Sequence, residues 1–171
     1  MKNLQLEQNE YNPYYQPYVD RTSHVDIITG LKENLRTVIN FYESVPKEKH
    51  NFAYAHGKWT IKEVLLHCID TERVFSYRAL RISRSDQTEM AGFDQDKYVE
   101  ASQANRKSFE YLLDEYRTVR LSTIALFKSF GPEDLVKTGR ASGSNISLRA
   151  IGYIITGHEN HHINVLKECY L

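Results

Sequence analysis

The chain has 171 residues, of which 41% are hydrophobic and 26% are charged, and this composition is typical of one soluble domain, expected here to span residues 1–171. Lysine plus arginine and aspartate plus glutamate each number 22, so the formal net charge is zero and no basic excess favours binding to nucleic acid or to a membrane surface. The sequence contains neither the apolar run of a secretion signal nor the roughly 18 consecutive apolar residues that span a bilayer, so we expect a cytoplasmic protein.

Residues 1–22 are predicted to form an ordered, non-helical arm that packs on the body of the protein. The chain has 12 tyrosines, and several of them cluster in this segment together with prolines. Aromatic residues disfavour a disordered tail, and prolines disfavour a continuous helix. The clustered tyrosines are Tyr11, Tyr14, Tyr15 and Tyr18.

Two long helices are predicted in the first half of the chain. Apolar residues recur at helical spacing from Thr22 or Ser23 to about Ser44, which indicates the first helix. The second helix has the clearest start, because Thr60 and Glu63 match a capping box, in which each side chain accepts a hydrogen bond from the backbone N–H of the other residue.

The second helix is predicted to end at about Arg84, where its helical pattern stops. A connection over 85–93 follows, and a short helical turn is predicted around Tyr98. The third long helix should run from about Asn105 to Gly131-Pro132, a pair that is typical of a helix end.

The last part of the chain predicts a loop and then a fourth long helix. Residues 131–145 are polar and contain glycines, which indicates a long loop, and Ser147 is placed to cap a helix that runs to about Glu168. Four long helices without alternating strands predict an all-α four-helix bundle, whose facing side chains commonly build metal sites. Cys68 and Cys169 are isolated within predicted helices and are expected to be buried free thiols.

The fourth helix carries a histidine pair, His158 and His162, on its apolar face. Residues four apart share one face of a helix, and Ile151 and Val165 fall within about 20° of His158 on the helical wheel. Two buried imidazoles need polar partners, and the pattern leaves open whether these are hydrogen-bonding groups or a metal ion. His161 lies about 60° away, so it is either a replacement ligand or an outer, surface residue.

His67 borders the apolar arc of the second helix and is the candidate third ligand. It lies roughly 10 Å from the start of its helix, and the C-terminal pair lies roughly 9 to 15 Å from the end of theirs. These heights match if the second and fourth helices are antiparallel, which requires the connection after the second helix to cross the bundle. The predicted topology is therefore up-down-down-up. The histidines at a helix start or in loops, which are not expected to be ligands, are His24, His50 and His56.

Several motifs of the chain resemble the DinB-like (YfiT-like) metalloprotein superfamily. They are Gly57-Lys58-Trp59-Thr60-Ile61-Lys62-Glu63 leading to His67, then Asp70, Glu72-Arg73 and Tyr77-Arg78-Ala79-Leu80-Arg81, and finally Gly157-His158-Glu159 followed by His161-His162. The similarity extends over nearly the whole chain through Tyr14-Tyr15, Gly92-Phe93-Asp94 and Val119-Arg120.

The resemblance implies an up-down-down-up bundle, frequent homodimers and a divalent metal held by His67, His158 and His162. Nitrogen ligands suit zinc or nickel best, although manganese and iron are compatible with them. The resemblance leaves the reaction open, because some relatives are transferases or isomerases that act with low-molecular-weight thiols, and many have no known substrate.

The leading hypothesis is a metal-dependent transferase in which the ion activates a low-molecular-weight thiol that attacks an electrophilic small molecule. Two alternatives are a metal-dependent hydrolase that uses water, and a non-catalytic metal-binding module with a structural or stress-response role. Helix capping and surface ion pairs are the ordinary roles of the nearby polar residues. The candidates for orienting the ligands or lining the pocket are Glu63, Asp70, Glu159, Arg78 and His161.

Overall fold

A computed structural model describes residues 6–22 and 26–171 of the chain. Its α-helices are α1 (Gln16–Val19), α2 (Ile27–Glu43), α3 (Ile61–Ser83), α4 (Gln95–Ser102), α5 (Phe109–Lys128), α6 (Pro132–Leu135) and α7 (Leu148–Cys169). Two strands, β1 (Thr138–Ala141) and β2 (Ser144–Ser147), form a hairpin before α7. Short 3-10 turns are at Gln8–Glu10, Pro13–Tyr15, Lys47–Lys49 and Ala104–Arg106.

The predicted starts of α3 and α7 are confirmed by their capping hydrogen bonds. The Glu63 N–H donates to Thr60 Oγ1 (3.2 Å), and the Thr60 N–H donates to Glu63 Oε2 (2.7 Å), which completes the capping box. The Ser147 hydroxyl accepts a hydrogen bond from the Ala150 N–H at 3.1 Å. Each cap satisfies a backbone N–H that has no partner within the first turn of its helix.

Two other helices begin later than the sequence indicated. α2 starts after Asp26, whose carboxylate accepts a hydrogen bond from a first-turn N–H, and the predicted start at Ser23 lies outside the described residues, as does His24. α5 starts after Ser108 rather than at Asn105, because the Ser108 hydroxyl caps the helix. In both cases a polar capping side chain, and not the apolar periodicity, determines the first turn.

The predicted all-α, up-down-down-up topology is confirmed. The phenol of Tyr170 donates a hydrogen bond to the Trp59 carbonyl (2.7 Å), so the end of α7 meets the start of α3 and these helices are antiparallel. The Lys62 ammonium donates to the Lys107 carbonyl (2.8 Å), so α3 and α5 start together and are parallel. α3 and α2 each pack against both α5 and α7. None of the helices in the described ranges is long and apolar enough to cross a membrane.

The interior consists of two apolar clusters with a polar layer between them. One cluster contains Leu65 and Ile163, and the other contains Phe75 and Ile155. Each long helix places at least one buried polar residue between its contributions to the two clusters, and one from each helix carries a carboxylate, amide or guanidinium group. These residues are Asn34 on α2, Glu72 on α3, Arg120 on α5 and Glu159 on α7.

The segment predicted as a long loop over 131–145 is instead α6 followed by the hairpin. β1 and β2 pair antiparallel, and Ser142 (φ 53°) and Gly143 (φ 78°) form a tight turn in the left-handed region. The strands are short and polar, so the sequence lacks the alternation that predicts a strand. Gly139 packs against α3, since a Cβ there would lie 2.7 Å from Ile82 Cγ1.

The described part of the N-terminal arm is partly helical, so the expectation of a non-helical arm is wrong. Pro13 and Pro17 stand in the first turns of a 3-10 turn and of α1, positions at which proline is compatible with a helix. Tyr15 and Tyr18 pack against the apolar cluster that contains Phe75.

The two cysteines differ in their exposure. Cys68 is buried, as predicted, but Cys169 is exposed, so the prediction of a second buried thiol is wrong. Cys169 is the last residue of α7, and at this end of the helix the side chain that packs into the core is that of the neighbouring Tyr170.

Candidate metal centre

Three histidines from two helices converge in the structure. Nε2 of His158 lies 3.0 Å from Nε2 of His67 and 3.1 Å from Nε2 of His162. The three side chains offer ligand nitrogens that all lie within 4.8 Å of one another. His67 and His158 are buried, and His162 is partly buried. The antiparallel packing of α3 and α7 therefore brings together the three residues that helix periodicity and height had selected.

Hydrogen bonds alone do not satisfy this arrangement. Nε2 of a neutral histidine carries either one proton or one lone pair, so it can make only one well-directed hydrogen bond. Nε2 of His158 nevertheless has two nitrogens within hydrogen-bonding distance, those of His67 and His162. Burial lowers the pKa of His67 to about 4 and, with its histidine neighbours, that of His162 to about 3. Burial and the surrounding imidazoles also lower the pKa of His158. Three neutral imidazoles with converging nitrogens fit a divalent cation, which accepts one lone pair from each.

Aromatic rings hold two of these imidazoles. The Trp59 ring lies 4.7 Å from the ring of His67, and the Tyr18 ring approaches His158 edge-on at 5.1 Å. The Tyr18 contact depends on Gly157, because a Cβ at that position would lie 1.9 Å from the Tyr18 carbonyl oxygen. The glycine before His158 therefore lets the N-terminal arm reach the metal centre.

Glu63 and Asp70, two of the candidate ligand-orienting residues, make other interactions. Glu63 accepts hydrogen bonds from the Thr60 N–H (2.7 Å) and from the Asn105 amide (3.0 Å). Asp70 forms an ion pair with Arg73 at 3.2 Å on the surface of α3. Both carboxylates therefore have the ordinary roles of helix capping and ion pairing.

Glu159 and His161 flank the ligand histidines on α7 but face different surroundings. Glu159 Oε2 accepts hydrogen bonds from Arg120 Nη2 (3.0 Å) and Asn34 Nδ2 (2.8 Å), so its carboxylate belongs to the polar layer. His161 lies beside the Tyr18 ring at 5.4 Å and is partly buried. Burial lowers the pKa of His161, and nearby Arg21 lowers it further.

Arg120, whose role was not predicted from the sequence, is fully buried and contacts Glu159, the residue that follows His158. Its guanidinium donates two hydrogen bonds to Glu72, at 2.8 and 2.9 Å, and a third to Glu159. Burial raises the pKa of Glu159, because one guanidinium faces two carboxylates and offsets the burial only in part. A signal was present in the sequence, since Arg120 lies between Tyr116 and Thr123 on the apolar stripe of α5.

A cleft of about 350 Å³ opens beside two of the three histidines. The N-terminal arm contributes Tyr15 and Tyr18 to its walls, α3 contributes Phe75 and Arg78, and the hairpin turn contributes Ser142. Within the described residues, the lining contains no aspartate, glutamate or lysine. The cleft therefore has aromatic walls, and Arg78 provides its positive charge.

Comparisons with known proteins agree with this architecture. The sequence profile of the DinB superfamily matches residues 31–166. The fold is similar to that of YfiT from Bacillus subtilis, described as a probable metal-dependent hydrolase with an unusual four-helix bundle topology. That match has a TM-score of 0.76 and 18% sequence identity, and it covers 94% of this chain and 91% of the other. No protein with a curated description matches the chain.

Proposed function

The chain belongs to the DinB superfamily, and we propose that it is a divalent-metal-dependent enzyme that transfers a low-molecular-weight thiol to an electrophilic small molecule. The observation that carries this proposal is the opening of a three-histidine centre onto a cleft with aromatic walls. His67, His158 and His162 would hold the ion, and zinc or nickel suits their nitrogen ligands best. A divalent ion held by neutral ligands acts as a Lewis acid that favours the deprotonated form of a nucleophile.

The composition of the cleft favours a thiol over water as the nucleophile. Binding to a divalent ion lowers the pKa of water from about 15.7 to about 7, and metallohydrolases commonly also place a glutamate as general base beside the ion. A free thiol has a pKa of about 8.5 and ionises more readily than free water, so it does not depend on such a base. The lining of the described cleft has no carboxylate, and Glu159 is paired with Arg120.

The residues of the cleft have separate roles in the proposed transfer. Phe75 and Tyr15 exclude water from the reactants, and Tyr18 holds the His158 ring in place. In the transfer a bond forms between the sulfur and the electrophilic carbon, the bond to the leaving group breaks, and the thiol proton passes to solvent.

The metal centre is tested by elemental analysis of untagged protein. We expect about one ion per chain in the wild type and almost none in His67→Ala or His158→Ala, because two imidazoles bind a divalent ion more weakly than three. The matched control is His161→Ala, which removes a neighbouring imidazole outside the cluster and should retain the ion. Wild-type protein that cannot be loaded with metal would refute the site.

The reaction is tested by incubating metal-loaded protein with electrophiles, each with and without a thiol. We expect product only when thiol, electrophile and metal are all present, and none with His158→Ala. Turnover of esters or amides without thiol would instead support a metal-dependent hydrolase, which is how the structurally similar YfiT is described. Cobalt-loaded protein separates both enzymes from a closed, non-catalytic metal module, because only an open coordination site changes its visible spectrum when thiol is added.

The assembly state is part of the same proposal. We infer a homodimer from membership of the family, and sedimentation equilibrium of the full chain measures it directly. A mass near 20.0 kDa, which is that of one chain, would contradict the dimer.

A further inference from the structure

Arg78 is a buried cation that no carboxylate neutralises within the described residues. Its side chain is 2% exposed, yet its Nη2 donates only to neutral acceptors, the Ala91 carbonyl (3.0 Å) and the Ser142 hydroxyl (2.9 Å). Its guanidinium also lies over the Phe75 ring at 5.2 Å. A buried charge without a counter-ion is unfavourable, so this position calls for a functional explanation.

The other buried arginine shows the contrast. Arg120 is also buried, but it contacts Glu72 and Glu159, so it has two carboxylates as counter-ions. Arg78 differs further because it lines the cleft, where a ligand can reach it. A counter-ion for Arg78 can therefore be supplied by a molecule bound in the cleft.

The position of Arg78 on α3 relates it directly to the metal centre. It follows His67 by eleven residues, which places the two side chains about 20° apart on the same helix face and about 16 Å apart along the axis. Phe75 lies between them on α3, and Ile154 lines the same cleft from α7. The cleft thus presents the histidine cluster at one end, a middle lined by Phe75, Ile154 and Thr71, and a guanidinium at the other end.

We propose that the cleft binds an elongated carboxylate, with its anionic group on Arg78 and Ser142 and its reacting atom beside the three histidines. This inference rests on the proposed function and specifies the substrate class of the same site. A single guanidinium without a lining lysine matches the charge of one carboxylate better than that of a phosphate dianion. The two hydrogen-bonded neighbours of Arg78 hold its planar group in place.

The test is a set of NMR titrations of the full-length, metal-loaded protein with three probes of similar length: 4-phenylbutanoate, 4-phenylbutanamide and 4-phenylbutyl phosphate. We expect the carboxylate to bind at least about tenfold more tightly than the amide, a factor that corresponds to one charge-assisted hydrogen bond. The variant Arg78→Gln should abolish this preference, and Arg78→Lys should retain part of it. The matched control is Arg81→Gln, which removes another arginine of α3, one that is paired with Asp86 beyond the end of the helix.

Equal binding of acid and amide by the wild type, or no binding of either, would overturn the proposal. A preference that persists in Arg78→Gln would show that the carboxylate binds elsewhere. Tighter binding of the phosphate would show that the site prefers a phosphate to a carboxylate. Repeating the titration after chelation separates this inference from the proposed function. Carboxylate recognition by Arg78 persists without metal, whereas a carboxylate bound to the ion itself is released.

Discussion

At Gly157 the backbone of α7 packs directly against the backbone of the N-terminal arm. Replacing a helical glycine with alanine usually stabilises a protein by up to about 1 kcal/mol. Here the new Cβ would overlap the Tyr18 carbonyl oxygen, which would lie 1.9 Å away. We therefore expect Gly157→Ala to destabilise the protein by about 1–3 kcal/mol and to increase amide hydrogen exchange in residues 16–22.

The control for Gly157→Ala is Asn164→Ala, a substitution at an exposed position of the same helix. This control should leave both the amide hydrogen exchange of residues 16–22 and the free energy of unfolding nearly unchanged. An unchanged exchange pattern in Gly157→Ala would show that the arm does not depend on this contact.

The buried guanidinium of Arg120 is expected to be important for stability. Replacing Arg120 with leucine would leave Glu72 and Glu159 buried without their shared cation. Breaking a buried ion pair in this way costs about 3–5 kcal/mol, and urea unfolding measures that loss. The matched substitution Arg117→Leu removes a partly exposed arginine of α5 that pairs with Asp114, and should cost less than about 1 kcal/mol. If Arg120→Leu loses as little stability as Arg117→Leu, the polar layer is not essential for stability.

Among the secondary-structure elements, the N-terminal arm is attached to the hairpin and to α7 through the side chain of Glu10. Its carboxylate accepts hydrogen bonds from the Ser147 hydroxyl (2.7 Å) and from the Arg149 guanidinium. Burial raises the pKa of Glu10, but these hydrogen bonds outweigh it, so the pKa lies below its usual 4.5. The unfolded chain therefore binds a proton more readily, and the contribution of Glu10 is present above about pH 4.5 and is lost as the pH falls through the folded value.

We expect Glu10→Gln to destabilise the protein by about 1–3 kcal/mol at pH 7, because charge-assisted hydrogen bonds are lost. The difference from wild type should shrink as the pH falls below 4.5, since wild-type Glu10 then becomes protonated. Urea unfolding at a series of pH values measures this difference, and Glu33→Gln, at an exposed position of α2, is the control. A difference that stays constant with pH would contradict an ionised Glu10 as the anchor.

The elements also show what the sequence alone could predict. Helix caps such as Thr60 and the spacing of His158 and His162 depend on neighbours in the chain, so they are readable from short patterns. The hairpin is different, because its polar strands are held through contacts such as that of Gly139 with α3. The pairing of Arg120 and the lining of the cleft likewise join distant segments, which no local pattern specifies.

At the scale of the whole molecule, the proposed ion would join α3 to α7 at the level where the N-terminal arm also contacts α7. The ligands are prearranged: burial keeps the imidazoles neutral, and the packing of the two helices holds their nitrogens together. Metal binding should therefore require little rearrangement and should favour the folded state, because the unfolded chain has no such cluster.

Removal of the metal should consequently lower the melting temperature. A ligand present at about 100 times its Kd stabilises the folded state by about 2.7 kcal/mol, which shifts the Tm of a chain of this length by roughly 5–10 °C. Calorimetry of loaded and chelated protein measures the shift. Wild type and His161→Ala should both show it, whereas His67→Ala and His162→Ala should melt at the same temperature with and without metal. A wild-type Tm that does not respond to metal would make the three histidines a hydrogen-bonded core cluster, since binding to the folded state must stabilise it.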